Sequence, residues 1–214
     1  MSLSMTSSVS LQVRDLHFSY PDQPALADGW SASIGEGVTL LYGDTGSGKS
    51  TLLRVLAGMQ QASAGQLHAA GVALDAEPEA YRRQVFFCEP ASEAFDQLSV
   101  RACTDLLGAG DAGFDPAEWQ RLVEAFSLAP HLEKQMFMLS TGSRRKVGLA
   151  AALASGRPVV LLDDPVGALD ARSIHGLWRA IERRIAQPGR AVVVASSERI
   201  TEVPLAACIE LPLG

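Results

Sequence analysis

The sequence predicts an α/β fold with a mostly parallel sheet. Three observations predict it. In the last third of the chain, short apolar runs alternate with helix-length stretches, the pattern of parallel strands joined by helical crossovers. Around residue 45, a glycine-rich loop joins a β-prone run to a helical stretch. The apolar run Val159-Val160-Leu161-Leu162 ends abruptly in Asp163-Asp164-Pro165.

The elements follow in order. Residues 1–10 form a polar tail without the apolar core of a secretory signal. Residues 11–18 alternate in part and read as a strand, and residues 30–34 as a less regular one. Val38-Thr39-Leu40-Leu41-Tyr42 is a β-prone run that feeds the glycine loop, and residues 50–57 form the helix after it. Turns are expected around Gly65 and Gly71, then a short strand at Val85-Phe86-Phe87. The character changes over residues 91–138, which read as a mostly helical insert with loops at Gly108-Ala109-Gly110-Asp111 and Pro130-His131. Within it, Asp115-Pro116-Ala117-Glu118 is a helix start: an acid at the N-cap, then proline, then glutamate at the third position. Afterwards come a helix at 143–154, a strand at 159–162, a helix at 171–185, a strand at 191–195 and a last strand at 207–211. The expected division is a tail (1–10), an α/β core (11–90 and 139–214) and a helical insert (91–138).

Composition narrows the partners. Apolar residues make up 47% of the 214, enough for a substantial core and too many for a disordered chain. The net charge is −6 with no lysine- or arginine-rich block, so a nucleic-acid partner is disfavoured. No apolar run approaches the ~18 residues of a membrane span. Cys88, Cys103 and Cys208 are widely spaced without a C-x-x-C, which fits a reducing cytosol. His17, His68, His131 and His175 have no metal-ligand spacing. A chain ending at Gly214 is expected to carry no regulatory domain.

Residues 43–51 carry the most specific chemistry. Gly43-Asp44-Thr45-Gly46-Ser47-Gly48-Lys49-Ser50-Thr51 satisfies the phosphate-binding pattern G-x-x-x-x-G-K-S/T at every fixed position. The glycines let backbone N–H groups turn inward and cradle an anion. Lys49 brings a point charge to the terminal phosphates, and the Ser50 hydroxyl can join the shell of a Mg²⁺ ion. The helix that follows presents its positive end to the same anion. An apolar strand ending in acids is the complement such a loop needs. Asp163 can hold Mg²⁺, usually through water, and Asp164 can orient an attacking water.

Taken together these motifs resemble the nucleotide-binding domain of the ATP-binding cassette (ABC) family, over about residues 11–211. Asp15-Leu16-His17-Phe18-Ser19-Tyr20 resembles the opening strand whose aromatic stacks on adenine, which falls on Tyr20. Leu139-Ser140-Thr141-Gly142-Ser143 resembles the signature L-S-G-G-Q, and Arg144-Arg145-Lys146-Val147 follows where the family has Q-Q-R-V. Pro165-Val166-Gly167-Ala168-Leu169-Asp170 resembles the loop that ends in L-D. The resemblance implies a phosphate-loop NTPase core that binds ATP and Mg²⁺. Ser140 and the N–H groups near Gly142, at a helix N-terminus, form a second anion site. In the family that site serves the ATP of a second nucleotide-binding domain, so the resemblance implies an ATP-dependent homodimer or heterodimer. It also implies a separate membrane permease, docked near residues 86–98, with this chain at the cytoplasmic face of the membrane. A soluble, permease-free ABC-type ATPase, acting as an assembly factor or nucleotide-gated binding module, is the alternative.

Five positions depart from the family. Asp164 stands where the family has its catalytic glutamate, Ser197 where it has a γ-phosphate-contacting histidine, and Cys88 where it has a Mg²⁺-sensing glutamine, with Glu89 beside it. Thr141 and Ser143 vary the signature itself. Residues that grip ATP and magnesium are kept, while those that organise water and sense the γ-phosphate are altered. Firm Mg-ATP binding with slow hydrolysis is therefore expected, with Lys49, Asp164 and Ser197 carrying the chemistry.

Overall fold

A computed structural model describes residues 10–88 and 95–213. Most of the polar tail, and Glu89 with the first residues of the expected insert, lie outside the described residues. In chain order the strands and helices are β1 (Leu11–Phe18), β2 (Ala27–Ile34), β3 (Gly37–Tyr42), α1 (Lys49–Leu56), β4 (Ala64–Ala69), β5 (Val72–Ala73), α2 (Pro78–Gln84), β6 (Val85–Cys88), α3 (Val100–Gly108), α4 (Pro116–Ala125), α5 (Thr141–Ala154), β7 (Val159–Asp163), α6 (Ala171–Ile185), β8 (Ala191–Ser196) and β9 (Leu205–Glu210).

The uninterrupted apolar runs of β7 and β8 can only be buried on both faces, and they occupy the middle of a five-stranded sheet ordered β6-β7-β8-β3-β9. Every pairing in it is parallel. Alternate side chains serve two cores. Val160 and Leu162 of β7 and Val192 and Val194 of β8 face α5 and α6, joining Leu122, Val147, Leu177 and Ile181. Val159, Leu161 and Val193 face the other way, onto Leu52, Leu53 and Leu56 of α1 and the apolar side of β1. The N-terminal β elements form a second sheet, antiparallel, ordered β2-β1-β4-β5.

Leu161 is fully buried between α1 and the neighbouring strands. Leu161→Ala is expected to cost about 2–5 kcal/mol. Leu106 on α3 is 54% exposed, and Leu106→Ala should stay within about 0.5 kcal/mol of the parent. Urea unfolding midpoints measure both.

One expectation needs correction, and the helical stretch is interrupted rather than replaced. The segment expected to be mostly helical contains, in its described part, the two α-helices α3 and α4 and single 3₁₀ turns at Ala129–His131 and Met136–Met138. Glycines at 108, 110 and 113 and a proline at 130 interrupt it. Its buried residues Val100, Cys103 and Val123 join the same core as β7 and β8. The stretch read as turns around Gly65 and Gly71 holds β4 and β5, with Gly65 inside β4 and only Gly71 at a turn. Helix α4 starts as its sequence predicts, with the Asp115 carboxylate accepting from the N–H groups of Ala117 and Glu118.

Candidate functional site

The strand order explains how residues far apart in sequence meet. Strands β7, β8 and β3 are neighbours and parallel, so their C-terminal ends share one edge of the sheet. Ligands bind at that edge in open α/β sheets. The phosphate loop leaves β3 there, Asp163 ends β7, and Ser197 follows β8. An open cleft of about 360 Å³ is lined by Thr45, Gly46, Gly48, Lys49, Ser50, Thr51, Asp163, Asp164 and Ser197.

Local chemistry shapes the loop. Gly48 caps α1 at φ 96°, a left-handed conformation that favours glycine. A Cβ there would also fall 2.4 Å from Leu26 Cδ1. Lys49 is the first residue of α1, and its Nζ donates to the carbonyls of Gly43 (2.6 Å) and Asp44 (2.7 Å). The Tyr20 hydroxyl lies 3.3 Å from Thr51 Oγ1, with the Tyr20 ring edge-on to Phe18 and 40% exposed. Gly43, Asp44, Ser47 and Tyr20 are therefore around the loop rather than among the residues lining the cleft.

Asp164 has φ 44°, left-handed for a residue with a side chain. Its N–H donates to Ala195 O, and its own carbonyl accepts from Gly167 N–H. Its carboxyl is pushed above the usual range, chiefly by partial burial and further by the charges of Asp163 and Glu198. The cations of Arg145 and Lys49 oppose this. The side chain is 59% exposed, so solvent screens these charges. Cys88 is buried at the end of β6, and burial pushes its thiol up to about 12. It stays protonated and packs as a small apolar group.

Ser140 and Gly142 are not among the residues lining the cleft. Ser140 caps α5, its Oγ accepting from the N–H of Ser143 at 3.2 Å. Gly142 approaches the loop after β7 so closely that a Cβ would lie 2.5 Å from Ala168 O. Neither residue of the expected second anion site contributes to the lining of this cleft.

The sequence model of the ABC transporter family matches residues 28–167. The chain belongs to the ABC transporter family. It is 38% identical over 169 residues to the cytochrome c biogenesis ATP-binding export protein CcmA of Rhodospirillum rubrum, covering 77% of this chain and 70% of that protein. A putative ABC transporter ATP-binding protein from Pyrococcus furiosus superposes with a TM-score of 0.74 at 25% identity, covering 94% of this chain and 96% of that one. The dimeric structure of a bacterial ABC transporter cassette matches with a TM-score of 0.69 at 22% identity, covering 88% of each chain, which shows the fold.

ABC domains bind ATP, usually with Mg²⁺, and hydrolyse it. The residues present fit both groups. Gly46 has φ 84° and open space where a Cβ would stand, so no side chain obstructs the loop at that position. Among the described residues, no cluster of three or more His, Cys, Asp or Glu forms a metal cage. Ser50 and Asp163 in the cleft are sparse oxygen donors of the kind Mg²⁺ uses when phosphates and water supply the rest of its shell.

The sequence shows the cations of the ABC signature helix but not their partners. Three basic residues near the start of α5 oppose the helix dipole, and that signal called for partners. The structure supplies them: Arg144 pairs with Asp96 at 2.9 Å, Arg145 reaches the Asp164 turn, and Lys146 holds Asp170 at 2.5 Å. Lys146 and Ser173 keep the Asp170 carboxyl well below the usual range.

Proposed function

We propose that this chain is the ATP-binding and ATP-hydrolysing subunit of an ABC transporter, driving a separate membrane permease through ATP-dependent dimerisation, with slow turnover. One observation carries the reading. Lys49, Ser50, Asp163 and Asp164 share one cleft, while the signature residues Ser140 and Gly142 stand outside it. Each site then needs the signature of a second chain to close over its nucleotide.

Each residue has a part in this reading. Tyr20 supplies a face for adenine. The loop from Gly43 to Thr51 holds the phosphates, with Lys49 neutralising their charge. Ser50 and Asp163 hold Mg²⁺, and Asp164 orients water. Ser197 offers only a short, uncharged donor where the resemblance has an imidazole, which supports slow turnover. The α/β core (11–90 and 139–214) carries nucleotide, and the insert (91–138) presents the permease surface. No helix among the described residues is long and apolar enough to cross a membrane, so the permease supplies the path and this subunit sits at its cytoplasmic side. An apolar groove of about 290 Å³, floored by Phe86, Phe87, Phe95 and Met136 with Arg144 and Arg157 among its lining, supports docking there.

Dimerisation tests the reading. Sedimentation velocity of the purified protein with Mg-ATP should show dimers, and without nucleotide monomers. Gly142→Ala should abolish the dimer while leaving Mg-ATP binding within about threefold, since its Cβ displaces the start of α5 and not the phosphate loop. A wild-type chain that stays monomeric at saturating Mg-ATP would sink the proposal.

A further inference from the structure

Arg145 is the least expected residue near the cleft. Its side chain is 13% exposed, though it carries a full charge. It enters from the second turn of α5 and meets the turn that follows β7. Its Nη1 donates to the carbonyl of Asp164 at 2.9 Å and to that of Gly167 at 2.5 Å. The same nitrogen stands 3.7 Å from Asp164 Oδ2. One guanidinium thus holds both ends of the Asp164–Gly167 turn and faces the carboxylate between them.

That turn needs holding. Asp164 is left-handed at φ 44°, and such a residue persists only where its surroundings over-determine it. The contacts here are Asp164 N–H to Ala195 O, Gly167 N–H to Asp164 O, and the two bonds from Arg145. Among the described residues, Arg145 ties the turn to a helix by hydrogen bonds. There is little slack around it: a Cβ at Gly167 would fall 2.2 Å from Arg145 Nη1 and 2.4 Å from Asp164 Oδ2.

We infer that Arg145 is a positioning residue for ATP hydrolysis, fixing the Asp164 turn so that its carboxylate faces the cleft. This rests on the hydrolytic reading above. Arg145 is not among the residues lining the cleft, so it acts through Asp164 and not on the nucleotide. A displacement of about 1 Å at a reacting group costs on the order of 100-fold in rate. The step Arg145 supports is therefore sensitive to its loss, while nucleotide affinity is not.

Arg145→Gln tests the inference. It should lower kcat about 10- to 100-fold and leave the Kd for Mg-ATP within threefold. Arg145→Lys, with one donor group able to reach a turn carbonyl, should recover part of the loss, and it carries the same test should the glutamine variant fail to fold. The double variant Arg145→Gln with Asp164→Asn should be no slower than Asp164→Asn alone, because both act at one carboxylate. A kcat within twofold of wild type, or losses that multiply in the double variant, would overturn the inference. Amide exchange reads the same contact without turnover. The Gly167 N–H should exchange at least tenfold faster in Arg145→Gln, with β8 amides unchanged, and unchanged Gly167 protection overturns the inference. Absence of turnover in the wild-type chain would instead strike the hydrolytic reading and leave the exchange result to decide the role of Arg145.

Discussion

Lys49→Ala is expected to lower ATP turnover at least 100-fold while leaving the fold intact. The ammonium sits over the phosphate loop, bonded to the carbonyls of Gly43 and Asp44. An ammonium has three N–H donors, so these two bonds leave one to turn toward phosphate. Removing a fixed charge or donor from a transition-state site costs about 10²–10³ in rate. Stability should respond differently. Lys49 is the first residue of α1, where a cation opposes the helix dipole by about 0.3–1 kcal/mol. Alanine removes that conflict and is the better helix former. The two lost hydrogen bonds offset the gain, so the melting temperature should move by only a few degrees. Phosphate release and thermal unfolding on the same sample separate the two effects. Turnover within tenfold of wild type would show that Lys49 does not serve the phosphates.

How much of this was legible in the sequence depends on the range of the forces involved. The phosphate loop, the acid-ended strand β7 and the cap at Asp115 are local chemistry, readable from a few adjacent residues. The central strands were legible because burial on both faces leaves an unbroken apolar run. Strand β4 was not, since only Leu67 and Ala69 are buried in it and it exists through pairing with β1. Helix α2 is seven residues long with one buried side chain, Tyr81, too short to show a period. The cleft was legible in its members but not in its assembly. Bringing Lys49, Asp163 and Ser197 together requires the order β7-β8-β3, which no local pattern states. Arg145 shows the same limit. Its sequence signal was only a misplaced charge at a helix start, and its role comes from a turn 19 residues further along.

The double variant Asp164→Glu with Ser197→His should raise kcat up to about 100-fold, and the two changes should not contribute alike. Both residues line the cleft, so their effects should couple. Ser197 is exposed at the end of β8, with room for a larger side chain. An imidazole there adds a longer donor toward the phosphates, and about tenfold is expected from this change alone. Asp164 is more constrained. Aspartate tolerates the left-handed backbone better than most residues because its short carboxylate bonds locally. Glutamate at φ 44° is strained, and the tight space around Gly167 restricts its added methylene. Asp164→Glu alone should therefore lower the melting temperature and gain less than Ser197→His in rate. The short acid would then be a consequence of the turn's conformation, with the unusual Arg145 contact holding what remains. Steady-state phosphate release from the two single variants and the double variant measures this. If all three turn over at the wild-type rate, the chemistry at these positions does not limit the cycle.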